Sequence, residues 1–295
     1  MSQWEGKSRG NKLGYQIFVF VCDKLGAQAA YFLLRFVSFY FFLFSPSSTR
    51  QIYLYFRKRH KFTRLKSVVN VYKNYFVFGQ TLIDKVILLG GLKNKFTYHF
   101  DGVENLQEIV GLGKGGILLS GHVGNWEIAS HLLKKLNTKV NVVMFDGEHQ
   151  RIKNYLNEVT GSKSFNIIII RDDISHVYEI GHALNRNELV CIHADRFVNT
   201  AKTIIRPFLG SPAKFPLGPF SIASTFNVPV SFVYAFKEST THYHLFGSKV
   251  MLREEQTPKR EYAEQLADRF IKSFEEKVSR YPEQWFNYYN FWELN

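Results

Sequence analysis

From Gly115 onward, short apolar runs alternate with stretches of helical pattern, and this alternation leaves the chain few architectures. Gly116–Ser120 (GILLS), Val140–Phe145 (VNVVMF), Phe165–Ile170 (FNIIII) and Leu189–Ala194 (LVCIHA) each read as a buried strand. Helices fit between them at about Trp126–Leu136, behind the N-cap residue Asn125, at 149–158 and at 174–185. Further on come strands at Ile204–Phe208 and Pro229–Phe236, a helix near Pro219–Phe226 and a return strand at His242–Lys249. Upstream, Leu65–Gly90 is helical in pattern, and Phe96–Phe100 forms a short strand before a turn at Asp101-Gly102. The last helix, about Pro258–Arg280, carries Tyr262, Leu266, Phe270, Phe274 and Val278 at every fourth position, which makes one buried stripe. The pattern predicts an α/β fold with a largely parallel, mixed central sheet flanked by helices.

The N-terminal part obeys another rule. Residues 1–16 are polar and basic, and ten of the thirty residues 17–46 are Phe or Tyr. As a helix, Leu25–Phe44 would span about 30 Å, one hydrocarbon thickness. Asp23, Lys24 and Arg35 interrupt it, and a charge near mid-bilayer costs about 2.5–3.5 kcal/mol on insertion scales. Residues 47–66 then carry seven Lys or Arg and no acid. That is the composition of a polybasic segment against an anionic cytoplasmic leaflet. Under the positive-inside rule, the chain beyond residue 66 lies on the cytoplasmic side. The expected division is a membrane-anchoring segment at 1–64, as one span or a monotopic helix pair, and a catalytic domain at 65–295. A buried helical hairpin of a soluble enzyme is the alternative. A cleaved signal peptide fits poorly, because the apolar run is long, aromatic and without a small-residue cleavage site.

Lys and Arg number 38 against 25 acidic residues, a formal charge of +13 that calls for an anionic partner. Nucleic acid is set aside, since there is no helix-turn-helix or RNP-type aromatic pair and the basic run abuts a hydrophobic segment. An anionic phospholipid surface or a phosphorylated or acidic substrate remains. Cys22 and Cys191 sit in apolar runs and read as packing thiols of a reducing compartment. The ten histidines show no H-x-x-x-H spacing, and Ser120 lies in Leu-Leu-Ser-Gly-His rather than G-x-S-x-G. A metal hydrolase and a serine hydrolase are both disfavoured.

In open α/β sheets, ligands gather at the carboxyl ends of strands. There the sequence places Gly121-His122-Val123-Gly124-Asn125-Trp126-Glu127, then Arg171-Asp172-Asp173, then Asp195-Arg196. His122 and Glu127 straddle a tight loop and a helix start, where the helix dipole favours an ionised carboxylate. Glu127 could then accept the imidazole N–H, fix the tautomer and make the other nitrogen a base for an attacking alcohol. An arbitrary H-x4-E pair is more often a loop histidine beside a solvated glutamate.

GHVGNWEIAS closely resembles the H-x4-D/E block of the glycerolipid-type acyltransferases, in the form found in the bacterial lipid A late acyltransferase (lauroyl/myristoyl transferase) family. ADRFVNT resembles that family's Asp-containing strand end, and FLGSPAKFPLGPFSIASTFNVPVSFVY its Pro-rich block. YPEQWFNYYNFW resembles its Pro-Glu-Gln and aromatic ending. The resemblance implies transfer of a fatty acyl chain from an acyl carrier protein thioester to a hydroxyl of a membrane lipid acceptor, usually a phosphorylated glucosamine disaccharide. It implies no cofactor, no metal and no covalent acyl-enzyme. It places the protein at the bacterial inner membrane with the catalytic domain on the cytoplasmic face. Under it, His122 is the general base and Glu127 its orienting partner. Asn125, within the motif, is a substrate-binding candidate. Arg171 and Arg196 would bind phosphate or the developing oxyanion, or else form ordinary salt bridges. Asp195 would hold one of those arginines, and Lys214 is a further phosphate candidate. Two departures bear on the acceptor. Arg196 stands where many members carry Gln, and Asn287-Tyr288-Tyr289-Asn290 stands where many carry a basic residue. An aminolipid or an aryl-polyene pigment is the alternative acceptor.

Overall fold

Five consecutive residues buried on both faces, Gly116–Ser120, make the strand from which the molecule is organised. Only a strand covered on both faces tolerates such a run. The computed structural model describes residues 12–126, 128, 136, 138–145, 165–171, 173–197 and 201–293, with the backbone alone at 12–16 and 89. The helices are α1 (Lys12–Phe44), α2 (Pro46–Leu54), α3 (Arg64–Leu89), α4 (Val103–Gly111), α5 (Ser175–Asn185), α6 (Gly218–Phe226) and α7 (Lys259–Arg280), with a π-helical turn at Tyr55–Arg59. The strands are β1 (Thr97–Asp101), β2 (Gly116–Ser120), β3 (Val140–Phe145), β4 (Asn166–Ile170), β5 (Leu189–His193), β6 (Thr203–Phe208), β7 (Ser211–Pro216), β8 (Val230–Lys237) and β9 (His242–Gly247). Seven of them form one sheet in the order β1-β9-β8-β2-β5-β3-β4, and β6 and β7 form a separate hairpin. Every pairing in the large sheet is parallel except β8 with β9. The α/β expectation is therefore met.

Alternation along the strands assigns the two faces. Ile117, Leu119, Val190 and Ile192 join the large core under α7, and Leu118 and Leu189 join a smaller one with Leu106 and Ile109 of α4. The α7 stripe is buried as its spacing requires. Two elements depart from the sequence expectation. Helix α4 stands where the pattern predicts only a turn at Asp101-Gly102. It has nine residues and buries just Leu106 and Ile109, too short a period to stand out. Strand β7 contains Pro212 and Pro216, which argue against a strand. It is tolerated because each strand of a two-stranded hairpin is an edge. The helix expected near Trp126–Leu136 is described at Trp126 and Ile128, and the one at 149–158 lies outside the described residues. Both cysteines are free thiols.

At the N-terminus, Ile17–Phe44 has a mean hydropathy of 1.6, long and apolar enough to cross a membrane. Gly26, at φ 79° and ψ 175°, breaks the helix within it. One side of α1 packs Ala30, Tyr31 and Leu34 on Ile83 and Ile87 of α3, while Phe32, Phe36, Phe39 and Phe44 stay exposed. The basic run that comes next is divided. Arg50, Lys58, Lys61, Arg64 and Lys66 are exposed, whereas Ile52, Tyr55 and Phe56 enter the main core. There the Tyr55 hydroxyl donates to the Pro282 carbonyl at 3.1 Å. Arg59 lies over the Trp292 ring at 4.2 Å.

A buried charged cluster locks these helices to the sheet. Lys237, at the end of β8, pairs with Asp84 of α3, and the Tyr31 and Tyr243 hydroxyls donate to the same carboxylate. The side chains of Asp84 and Lys237 are 0% and 4% exposed. Burial pushes the Asp84 carboxyl up and the Lys237 ammonium down, the direction taken when desolvation outweighs mutual attraction. Lys237→Met is expected to lower stability by about 3–5 kcal/mol, because it strands a buried carboxylate. The double variant Lys237→Met/Asp84→Asn should recover part of that loss. Thermal unfolding of the detergent-solubilised protein checks both.

Candidate active site

A loop, not a helix, delivers His122. After β2 ends at Ser120, Gly121-His122-Val123-Gly124 turns the chain ahead of the helical residue Trp126. A Cβ on Gly121 would fall 2.4 Å from the Phe274 ring, and one on Gly124 (φ +59°) would fall 1.9 Å from the Ala235 carbonyl oxygen. Both positions are therefore closed to any larger residue. The loop is tied down on two flanks. On one, the Asn125 backbone N–H donates to Ala235 O of β8 at 2.8 Å. The Asn125 side-chain amide donates to Thr81 O of α3 at 3.2 Å and to the Tyr243 hydroxyl at 3.4 Å. On the other flank runs the C-terminal segment. Gly124 N–H donates to Gln284 O at 2.9 Å, Phe286 N–H donates to His122 O at 3.2 Å, and Val123 bridges to Trp285.

Strand β5 lies beside β2 in register, and Ala194 N–H donates to Ser120 O at 2.8 Å, so Asp195 emerges next to the loop. His122 Nδ1 is 2.6 Å from Asp195 Oδ1, and the His122 backbone N–H donates to Oδ2 at 3.0 Å. The Trp285 indole N–H reaches the same Oδ2 at 3.4 Å. The Asp195 side chain is 1% exposed and that of His122 18%. Burial alone would raise the Asp195 carboxyl, but His122 overrides it, with Arg196 and His193 adding positive potential. The carboxyl is held well below the usual carboxylate range. An ionised carboxylate only accepts hydrogen bonds, so the proton between the two belongs to Nδ1, and Nε2 becomes the basic nitrogen of the ring.

The structure thus brings His122, Asn125, Asp195 and Arg196 together. Asp195 is engaged by His122, and Arg196 donates to the Phe286 carbonyl at 2.7 Å. Arg171 is exposed at the end of β4, the outermost strand, two strands beyond β5 and so roughly 10 Å along the sheet. Lys214 lies on β7 opposite Ile205, in the separate hairpin. Glu127 lies outside the described residues. Sequence reasoning passes over two groups that the geometry assigns here. One is Trp285. The other is His193, whose ring packs 4.3 Å from that of His122 and edge-on to Trp126 at 5.4 Å. A histidine ending the apolar run LVCIH is the available signal for it. Trp126, Val142, Cys191, His193 and Val233 line an apolar cavity of about 30 Å³ beside the couple. That volume holds one or two waters.

A histidine seated on a buried, ionised carboxylate at the strand ends of a mostly parallel sheet can move a proton during group transfer. The chain belongs to the bacterial lipid A biosynthesis acyltransferase family, whose model matches residues 69–293. It is accordingly a lipid acyltransferase, as the motif resemblance implied. Among solved structures it is similar to the 1-acyl-sn-glycerophosphate (LPA) acyltransferase PlsC from Thermotoga maritima. The identity is 16% and the TM-score 0.40, over 86% of this chain and 98% of that one. No curated protein matches the chain.

The depressed Asp195 carboxyl carries a consequence for stability. Its contribution is complete above the unfolded-state value of about 4 and is lost as pH falls from there through the lower folded-state value. Asp195→Asn should therefore lower stability at neutral pH and flatten the fall in melting temperature below about pH 4. Thermal melts of the two proteins across about pH 2–7, in steps of about one pH unit, make the comparison.

Proposed function

We propose that the protein transfers a fatty acyl chain from an acyl carrier protein thioester to a hydroxyl of a membrane lipid, most simply a lipid A precursor, with His122 as general base. The observation that carries the reading is the 2.6 Å contact between His122 Nδ1 and a carboxylate buried from water. In the step proposed, Nε2 of His122 takes the acceptor's hydroxyl proton as the oxygen attacks the thioester carbonyl. The tetrahedral intermediate then expels the carrier's thiolate, which leaves with that proton as a thiol. Asp195 steadies the imidazolium that forms in between. Glu127, the acid of the motif, serves as a second orienting carboxylate. Arg196, beside the couple, supplies positive charge for a developing oxyanion, while Arg171 and Lys214, farther off, are candidates for a phosphorylated headgroup.

The site would face the cytoplasm at the inner membrane, held there by α1 and by Arg50, Lys58, Lys61, Arg64 and Lys66 against anionic phospholipid. The net charge of +13 suits an acidic carrier protein as donor. Arg196 and the Asn287–Asn290 ending favour keeping an aminolipid or aryl-polyene acceptor as the second reading.

Membranes or detergent-solubilised protein incubated with labelled acyl carrier protein thioester should yield one lipid heavier by a single acyl group. Mass analysis of that lipid names the acceptor. His122→Ala should lose at least about 100-fold of the rate with an unchanged melting profile. No acyl transfer to any hydroxylated lipid, or near-normal turnover by that variant, would overturn the proposal. Alkaline carbonate should leave the chain in the membrane fraction, and its release into the wash would remove the spanning anchor.

A further inference from the structure

On the outer half of the sheet, β1 and β9 run parallel with His99 level with His244 and Asp101 level with Phe246. Residues two apart on a strand share a face, so His99 and Asp101 project on one side, and the register brings His244 to that side as well. The three side chains converge. His99 Nε2 is 2.9 Å from Asp101 Oδ1, and His244 Nε2 is 2.8 Å from Asp101 Oδ2. The three donor atoms lie within 4.8 Å of one another. A further shell stands behind them. His244 Nδ1 is 3.1 Å from Glu238 Oε1, and the Tyr281 hydroxyl donates to that same oxygen at 2.6 Å.

We propose that His99, Asp101 and His244 form a binding site for one zinc-like divalent cation, separate from the His122 loop. Two imidazoles and one carboxylate suit zinc and its transition-metal neighbours better than magnesium or calcium, which take oxygen ligands. Around zinc with bonds of about 2.0–2.1 Å, tetrahedral donor atoms lie about 3.3–3.4 Å apart. The two hydrogen-bonded pairs must open by roughly half an ångström, and the widest pair in the set, up to 4.8 Å apart, must draw in toward that separation to admit the ion. His99 and Asp101 have that freedom, with side chains 61% and 55% exposed. His244, only 12% exposed, is the fixed ligand. Its ring is aimed from behind by Glu238, the carboxylate–histidine–metal relay that fixes which ring nitrogen binds. The fourth position faces solvent and takes water. The ion would clasp β1, a five-residue edge strand paired on one side only, to its neighbour.

The test uses untagged full-length protein in detergent, stripped with EDTA and titrated with zinc chloride by calorimetry, with dialysed metal counted in parallel. Wild-type protein should take up one equivalent in the micromolar range or tighter and melt at a higher temperature with zinc present. His99→Ala and His244→Ala should each weaken that equivalent at least about 10-fold, and Glu238→Gln about 10–100-fold. Acyl transfer by the zinc-free His99→Ala protein should match wild type, which keeps this result independent of the reading of the His122 site. No uptake at about 100 µM zinc, or uptake that all three variants retain, would overturn the proposal.

Discussion

The Asp195 carboxylate is the point on which the strand-end side of the molecule closes. It is removed from water, yet it is kept ionised by an imidazole, a backbone N–H and an indole N–H converging on two oxygens. A buried anion left unpaired costs far more than the hydrogen bonds it makes, so these partners cannot be relaxed singly. They come from the loop after β2 and from the segment around Trp285, and they meet a carboxylate carried at the end of β5. Sheet register, loop conformation and the packing of the C-terminal aromatics are thereby coupled through one group.

That coupling explains why the C-terminal segment is as much part of the site as the motif itself. Gln284, Trp285 and Phe286 run along the His122 loop like an added strand, and the Gln284 side chain exchanges two hydrogen bonds with the Lys237 backbone at 2.9 and 2.8 Å. Trp285 also packs edge-on against Tyr55, Phe208 and Phe274. The aromatic density of the ending thus has a packing purpose: it holds the loop against α7 and against the π-helical turn. The N-terminal basic stretch is likewise double in character, since its apolar residues complete the main core while most of its cations point outward.

Much of this is legible in the chain. Short, mainly apolar runs mark β2, β3 and β5 almost to the residue, because strands covered on both faces leave few polar positions. The four-residue period of α7 is equally plain. The strand-end motif locates His122, and the family resemblance supplies the role proposed for it. What escapes is whatever depends on pairing across long separations. The partner of His122 Nδ1 lies 73 residues away, and Trp285 lies 90 residues beyond Asp195. No local spacing announces either. The same holds for the His99, Asp101 and His244 trio, in which Asp101 and His244 are 143 residues apart and meet only through strand register. Helix α4 escapes for a different reason: two buried residues are too few to declare a period.

Tyr31 belongs to the apolar N-terminal helix, yet its hydroxyl ends on Asp84, beside the lysine that terminates β8 and one contact from the tyrosine that holds Asn125. The greasy leader is therefore no detachable tether. Trimming it to make a water-soluble enzyme would cut a proton donor out of a buried polar knot, and the damage would travel by way of Tyr243 to the loop that carries His122. Crystallographers and enzymologists alike would do better to keep the leader and choose the surfactant.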